Sequence, residues 1–380
     1  MPVRVGGPKE TTAGETRVAV VPAVAGKYAA LGAGLVVERD AGLASQYPDE
    51  DFAVAGEASL AFGDAGDALG ADLVVKVRPP SVEEVARMRE GAVLVGLLDP
   101  YRATDSVHAL AERTVTSFAL ELLPRITRAQ SMDALTSQAS VAGYKSVLMA
   151  ANLSGRYFPM LTTPAGTIRP AKVLVLGVGV AGLQAIATAR RLGAMVEAYD
   201  VRRATKEQVH SLGGRFIDTG VDAEAEGGYA RELTDEEEET AAAIVADHVA
   251  AADAVITTAA VPGRPAPRLI DAATVARMKP GAVIIDLAAE SGGNCELTRP
   301  GEQLDHNGVV VYGPVNVPAM LPVHASDQYA RNVFNFISPF IKDGELVLDW
   351  EDEVLAGSVL TRDGVIVDEA VRAVVEGGAS

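Results

Sequence analysis

Cysteine is nearly absent: Cys295 is the only one in 380 residues. No intrachain disulfide can form, and a reducing compartment such as the cytosol is favoured. Aromatic residues are scarce as well, with one Trp, nine Tyr and eight Phe against 37 Gly. That balance points to an Ala/Gly/Val-rich α/β protein with close backbone packing and ligand-binding loops. Positive charge is in deficit, 33 Lys and Arg against 51 Asp and Glu, for a net charge of −18. A field of that sign repels phosphate backbones and anionic lipid, so nucleic acid is not expected as a partner. The start MPVRVGGPKE carries charges and Pro where a signal peptide needs an apolar core, which argues against export. The stretch of residues 173–189, between Lys172 and Arg190, runs without a charge, close to the shortest membrane span. Its glycines at 177, 179 and 182 have the spacing of a strand turning into a helix. The chain is therefore read as soluble.

What is present is length and apolar content. With 380 residues, 48% of them hydrophobic, the chain can fill two cores, and two domains are expected. In the first 120 residues, apolar runs at Val3–Val5, Leu35–Glu38, Leu73–Val77, Val93–Leu97 and Val115–Phe118 alternate with helix-period segments 22–32, 82–90 and 104–113. Such alternation predicts a parallel sheet. Residues 131–155 read as a longer helix, a connector with no strand after it until 173. From 171 the alternation resumes through AKVLVLG, AMVEAYD, RFID, DAVITTA, AVIIDLA and VVVYG. Six candidate strands is the number in a dinucleotide-binding sheet. A helical run over 326–341 and strand-like pieces at Leu346–Leu348 and Gly364–Val367 complete the chain. The fold class expected is α/β, two Rossmann-like domains with parallel sheets. The domains are 1–130 with 320–380, and 140–319, the tail returning to the first domain and a cleft between the two serving as the site. The stretch 219–233 reads equally as a mobile lid or an ordinary surface loop. Thr234, Asp235 and the run Glu236–Glu239 read as a helix cap and first turn.

The chemistry concentrates at Gly177-Val178-Gly179-Val180-Ala181-Gly182, which follows the apolar strand Val173–Leu176. In that context Gly177 serves the tight turn, Gly179 admits backbone to a pyrophosphate, and Gly182 allows helix to pack on strand, with the helix N-terminus facing phosphates. The acidic residue expected about 20 positions further on is Asp200, where a carboxylate accepts from the adenosine ribose hydroxyls and repels a 2′-phosphate. NAD is favoured over NADP, although Arg202 and Arg203 follow directly and offer charge to a 2′-phosphate. A dehydrogenase acting on a hydroxy or amino acid also needs a proton-transfer group beside the nicotinamide. His108, His210, His248 and His306 read as surface or capping residues, and His324 is the only one near the expected cleft. No metal site is expected. Arg125, Arg128, Gln130 and Asp133 crowd polar groups at the entrance to the connector helix, which by itself reads as a capped helix start.

Together with PRITRAQSMDALTSQASVAGY, the blocks VLGVGVAGLQAIATARRLGA, DVRRATKEQVHSLGG, ITTAAVPGRPAP and MKPGAVIIDLAAESGGNCELT make the chain similar to the NAD(H)-binding components of proton-translocating nicotinamide nucleotide transhydrogenases. The resemblance runs from PKETTAGETRVAVVP to about residue 340. It implies NAD(H) as cofactor, held by the loop Arg125, Ile126, Thr127, Gln130, Ser131, Met132 and Asp133. In that loop Arg125 faces the pyrophosphate, and Gln130 and Asp133 face the nicotinamide and its ribose as the catalytic pair. Tyr144 supports the ring, Tyr229 matches the tyrosine of a mobile lid, and Ala260 lines the adenosine pocket. Val178 and Val180 between the glycines, and Val201 and Arg202 after Asp200, belong to the same site.

Alanine dehydrogenase is the related family to exclude. Its substrate Arg and Lys are matched by Arg17 and Lys76, but its histidine falls in GLLDPYRAT, where Leu98, Asp99 and Pro100 stand, and its Asp falls near Glu290. Without that histidine the acid/base for deamination is missing, and Arg17 and Lys76 read as inherited structure. Transfer of hydride between two nicotinamide rings moves no proton at the reacting atoms, so a transhydrogenase needs no such group. The resemblance further implies a homodimeric peripheral subunit on the cytoplasmic face of the inner membrane. Its partners are an NADP(H)-binding subunit and a proton-translocating membrane subunit. An amino-acid dehydrogenase and a noncatalytic NAD-binding sensor are the competing readings.

Overall fold

The computed structural model describes residues 2–55, 59–221, 234–260 and 264–377. Two compact units divide the chain, Met1–Gln138 with Ala319–Ser380, and Ala139–Pro318. In chain order the strands are β1 (Arg4–Gly7), β2 (Gly34–Glu38), β3 (Leu60–Gly63), β4 (Leu73–Val75), β5 (Val93–Gly96), β6 (Thr116–Ala119), β7 (Leu161–Thr163), β8 (Gly166–Ile168), β9 (Lys172–Leu176), β10 (Met195–Tyr199), β11 (Arg215–Phe216), β12 (Ala254–Thr257), β13 (Val283–Asp286), β14 (Gln303–His306), β15 (Val309–Tyr312), β16 (Ile341–Lys342), β17 (Glu345–Leu346), β18 (Val359–Arg362) and β19 (Val365–Ile366).

The first unit is an eight-stranded sheet in the order β19-β18-β6-β5-β4-β1-β2-β3. Strands β1 to β6 pair in parallel, because helices such as Pro22–Ala30 and Thr104–Glu112 carry the crossovers between them. The C-terminal tail then comes back and lays β18 antiparallel on β6. The joint is sealed by Ser117 and Thr361, whose hydroxyls lie 2.6 Å apart with both side chains buried, and the Thr361 hydroxyl also donates to the Val115 carbonyl at 2.8 Å. On one face the helix Pro322–Ile337 presses Tyr329, Val333 and Phe336 onto Val5, Leu73, Val95 and Phe118. Phe118 meets Phe336 at 5.5 Å and stacks on Trp350 at 6.1 Å.

The second unit is a seven-stranded sheet ordered β11-β10-β9-β12-β13-β15-β14. Counting its parallel strands from β9 gives the order 3-2-1-4-5-6 of a doubly wound nucleotide-binding sheet, whose switch point lies between β9 and β12. The charge-free run 173–189 resolves into β9, a tight turn and the helix Val180–Arg191. No helix among the described residues is long and apolar enough to cross a membrane.

Five local expectations need correction. The hairpin β7–β8 lies where no strand was expected before 173; its six residues are all exposed, so no apolar pattern reveals it. His306, read as part of a polar turn, ends β14, an edge strand folded back on β15 around Asn307-Gly308. The helix expected over 326–341 starts four residues earlier, with Pro322 in its first turn, and takes in His324; the missing N–H of a proline costs nothing there. In the first unit β3 and β18 were not expected. Strand β3 is a short, half-exposed edge, and β18 follows directly on the short helix Glu353–Ser358.

Candidate functional site

In the second unit the turn from β9 into the helix Val180–Arg191 shows why each glycine is where it is. Gly177 has φ +94°, and a Cβ there would stand 2.6 Å from the Thr258 hydroxyl. A Cβ on Gly182 would stand 1.9 Å from the Gly177 carbonyl oxygen, so the helix can begin this close to the strand only without one. Gly179 differs: none of the described residues lies within 4 Å of its added Cβ, and the residue is exposed. It caps the helix without any side-chain acceptor, so the first-turn N–H groups face open space with the positive end of the helix dipole behind them. This arrangement suits a pyrophosphate. The turn is fastened by the Thr258 hydroxyl, which donates to the Gly177 carbonyl at 2.9 Å, and by the Gly177 N–H, which donates to the Tyr199 carbonyl at 2.9 Å. Val180 is exposed, whereas Val178 is buried and its N–H is committed to Asp200.

Asp200 directly follows β10 and is 8% exposed. One carboxylate oxygen accepts from the Val178 N–H at 2.8 Å and from Arg202 Nη2 at 2.8 Å; the other accepts from the Arg202 backbone N–H at 2.9 Å and from Nε at 2.8 Å. A carboxylate offers about four acceptor positions, and these four contacts match that capacity. Val201 and Arg202 are half-buried beside it. Tyr144 is 41% exposed. It follows Gly143, whose Cβ would stand 2.1 Å from the Ala181 carbonyl oxygen, so the connector helix passes against the first turn of the nucleotide-loop helix at this point. Ala260 is exposed, in a loop that Asn294 holds. The buried Asn294 side chain accepts from the Ala259 N–H at 3.1 Å and donates to the carbonyls of Ala259 at 2.8 Å and Pro267 at 2.7 Å. Tyr229 lies outside the described residues, as does most of the stretch 219–233.

The loop 125–133 belongs to the first unit. Its short helix Thr127–Met132 turns Ala129 and Met132 into the core at 2% and 5% exposure, and leaves Arg125, Thr127, Gln130 and Ser131 outside. Met132 can therefore meet a ligand only through its backbone, and Ile126 packs against the same core. Three anchors hold the loop. Asn332 and Asn335 on the helix Pro322–Ile337 donate to the Ser131 carbonyl at 2.9 and 3.1 Å, and Arg128 makes a two-pronged ion pair with Asp352 at 2.8 and 2.6 Å. Asp133 has a structural task. Its carboxylate accepts from the Thr136 N–H at 2.8 Å and the Thr136 hydroxyl at 2.6 Å, closing the start of the connector helix Ala134–Leu153.

The residues shared with amino-acid dehydrogenases are occupied by partners inside the first unit. Arg17 is 3% exposed, paired through Nε and Nη2 to Glu15 at 2.8 and 2.7 Å, and donates to Gln138 at 2.9 Å. Lys76, 1% exposed, sits 3.3 Å from Glu10 and 3.1 Å from Glu84. Burial raises the Glu10 carboxyl above its ordinary value, and the two carboxylates hold the Lys76 ammonium above its own despite burial. Where a proton-handling histidine was looked for, Leu98 is 1% exposed and Asp99 takes a left-handed backbone at φ +41°. Their N–H groups donate to Glu121 at 3.1 and 2.7 Å, and burial pushes that carboxyl up to about 7. Glu290 is exposed and accepts from the Asn316 N–H at 3.1 Å. Two of the histidines have carboxylate neighbours: His108 faces Glu112 at 3.6 Å, and His248 pairs with Glu197 at 2.7 Å. The positioning residues that sequence reasoning missed are Thr258, Asn294 and Asp352. Their signal, a side chain meeting a backbone or a charge far along the chain, is not local.

Two family models cover nearly the whole chain: alanine dehydrogenase/PNT, N-terminal domain, over residues 6–142, and alanine dehydrogenase/PNT, C-terminal domain, over residues 146–369. The chain is 48% identical over 375 residues to the first part of NAD(P) transhydrogenase subunit alpha of Rhodospirillum rubrum, a match that spans 96% of this chain and 97% of that one. It is 30% identical to the alanine dehydrogenase of Mycolicibacterium smegmatis, over 97% of this chain and 95% of the other. The crystal structure of a transhydrogenase from Sinorhizobium meliloti superposes with a TM-score of 0.87 at 45% identity, covering 96% of this chain and all of that one, 100%.

Proposed function

The chain belongs to the alanine dehydrogenase/PNT family, and on that premise we propose that it is the NAD(H)-binding component of a proton-translocating NAD(P) transhydrogenase. It works as a peripheral, homodimeric subunit on the cytoplasmic face of the inner membrane. Hydride passes directly from its NADH to NADP⁺ on a partner subunit, while a separate membrane subunit carries protons. One observation separates this reading from alanine dehydrogenase within the same family. The segment GLLDPYRAT, where the proton-handling histidine falls, has Leu98, Asp99 and Pro100 and no histidine, and Arg17 and Lys76 are closed off by Glu15, Gln138, Glu10 and Glu84. Deamination needs a proton donor and a free cation for the substrate carboxylate, and hydride transfer between two nicotinamides needs neither.

NADH supplies the hydride, and the work of the chain is to hold and orient it. The uncapped start of the helix Val180–Arg191 and the open face of Gly179 take the pyrophosphate, with Arg125 adding charge. Asp200 takes the adenosine ribose, with Val201, Arg202 and the backbone of Ala260 lining the same pocket. Gln130 and Asp133 position the nicotinamide and its ribose at near-attack geometry, within the loop Ile126–Met132, and Tyr144 supports the ring. Tyr229 acts from a lid.

The test is NADH oxidation by the purified chain with pyruvate and ammonium, followed by nicotinamide fluorescence, then repeated with the NADP(H)-binding partner and NADP⁺. A fluorescence change without turnover in the first assay and hydride transfer in the second is expected. Steady turnover with pyruvate and ammonium makes the chain an alanine dehydrogenase, and binding with no transfer in either assay makes it a sensor. Asp133→Asn tests the catalytic assignment, because asparagine caps a helix as well as aspartate and so removes the charge but keeps the connector start. It should slow hydride transfer more than it weakens NADH binding; equal losses remove Asp133 from the reaction.

A further inference from the structure

Three cations stand at the carboxyl edge of the second sheet, where a 2′-phosphate of a dinucleotide would arrive. Arg202 and Arg203 lie in the turn after β10, and Lys206 is in the first turn of the helix Thr205–Ser211. Taken from sequence, such a trio argues for NADP rather than NAD, since charge-assisted bonds from Arg and Lys are the usual means of holding that phosphate. The structure shows where the charge goes. Arg202 is taken by Asp200, through Nε and Nη2 at 2.8 Å each. Arg203 and Lys206 are taken by a different carboxylate, Asp218. Arg203 Nη2 reaches its two oxygens at 3.0 and 2.8 Å, and Lys206 Nζ reaches one of them at 3.5 Å.

Asp218 is placed for this by the sheet. Strand β11 pairs with β10 through Glu197↔Arg215 and Ala198↔Phe216, and the Ile217 N–H continues the ladder to the Ala198 carbonyl at 2.8 Å. Asp218 therefore leaves the sheet edge one strand over from Asp200. The Gly220 N–H donates to it at 3.1 Å, and Arg203 above all holds its carboxyl down at about 2. It stays charged at any physiological pH.

We propose that Asp218 is a second specificity-determining residue of the dinucleotide site, a positioning carboxylate that ties Arg203 and Lys206 to the sheet edge so that neither is left to bind a 2′-phosphate. Asp200 repels the phosphate at the ribose, and Asp218 withholds the cations that would reward it. This division rests on the NAD(H) reading of the site. It explains how a chain with RRATK immediately after its ribose-binding aspartate can still prefer NAD.

The test measures the affinities of ADP and 2′,5′-ADP by calorimetry on the full chain, alongside the fluorescence of bound NADH. Asp218→Asn removes the charge and keeps the shape. The ratio of 2′,5′-ADP to ADP affinity should rise on the order of tenfold. Asp218→Asn combined with Arg203→Gln should fall back toward the parent ratio, and Asp218→Glu should keep that ratio. A merely structural role would weaken both nucleotides together and would not be reversed by removing the arginine. An Asp218→Asn chain that binds NADH with the ratio unchanged overturns the proposal, and Asp218→Ala giving the same unchanged ratio confirms that result on a second side chain. If the parent chain binds neither NADH nor ADP, the NAD(H) reading itself fails and takes this inference with it.

Discussion

Single residues at the nucleotide loop separate two effects that glycine motifs usually confound. Gly182 is needed by the fold, since its Cβ would meet a backbone carbonyl at 1.9 Å, whereas Gly179 has open space on that side. Gly182→Ala should therefore lower the thermal midpoint and abolish NADH binding together. Gly179→Ala should leave the midpoint unchanged and weaken binding alone, because among the described residues its methyl meets nothing within 4 Å. Equal thermal losses in both would mean that the loop has no ligand-facing side. A second residue-scale consequence concerns Glu121. Its carboxyl is raised to about 7 in the folded chain, above the ordinary value of an unfolded one, so the folded state binds the extra proton between the two. Stability contributed by this group is greatest at low pH and is lost as pH rises through about 7. Melting followed from about pH 5 to about pH 8 should show a fall that is shallower in Glu121→Gln; identical slopes would show that Glu121 titrates normally.

Among elements, the loop 125–133 has little internal hydrogen bonding and owes its shape to what it rests on. Asn332, 8% exposed, both donates to the Ser131 carbonyl and accepts from the Ser137 hydroxyl at 2.7 Å. It thus ties the loop and the connector helix to the helix Pro322–Ile337. Asn332→Ala strands those groups, at a cost of about 1–3 kcal/mol. Faster amide exchange over 127–133, with no change in the second sheet, is the expected readout, and unchanged exchange would mean that buried Ala129 and Met132 suffice as anchors. The start of the connector illustrates what local sequence conceals. The segment SMDALTSQ reads as a capped helix start, and Asp133 does cap it through Thr136. No local pattern says that asparagines about 200 residues later hold the carbonyl two positions before it. Elsewhere the strand–turn–helix at Gly177 was legible because glycine spacing and an apolar strand are both local signals. The hairpin Leu161–Ile168 was not, because neither of its faces is buried.

For the whole molecule, the first unit depends on the return of the tail. Strand β18 covers the edge of β6, and Trp350 covers Phe118 on the way. A chain ended before Val359 leaves β6 as an open apolar edge, and it should aggregate, as read by light scattering, while β9 to β15 keep their own pairing. The buried ionic cluster makes a separate demand. Lys76→Ala leaves Glu10 and Glu84 facing each other without their cation, which should cost about 3–5 kcal/mol in urea unfolding. A smaller loss would show that the carboxyls simply take up protons. By itself the sequence determined the α/β class, most of the strands, and the strand–turn–helix that presents Gly179, because hydrophobic period, strand length and glycine spacing act over neighbouring residues. Tertiary structure alone decided the rest. It set which carboxylate each of Arg202, Arg203 and Lys206 meets, that Arg17 and Lys76 are sealed rather than free, and that Asn294 and Asn332 hold loops they are far from in the chain. A charge can be counted from sequence, but its partner depends on which strands lie side by side, and that pairing exists only once the sheets have formed.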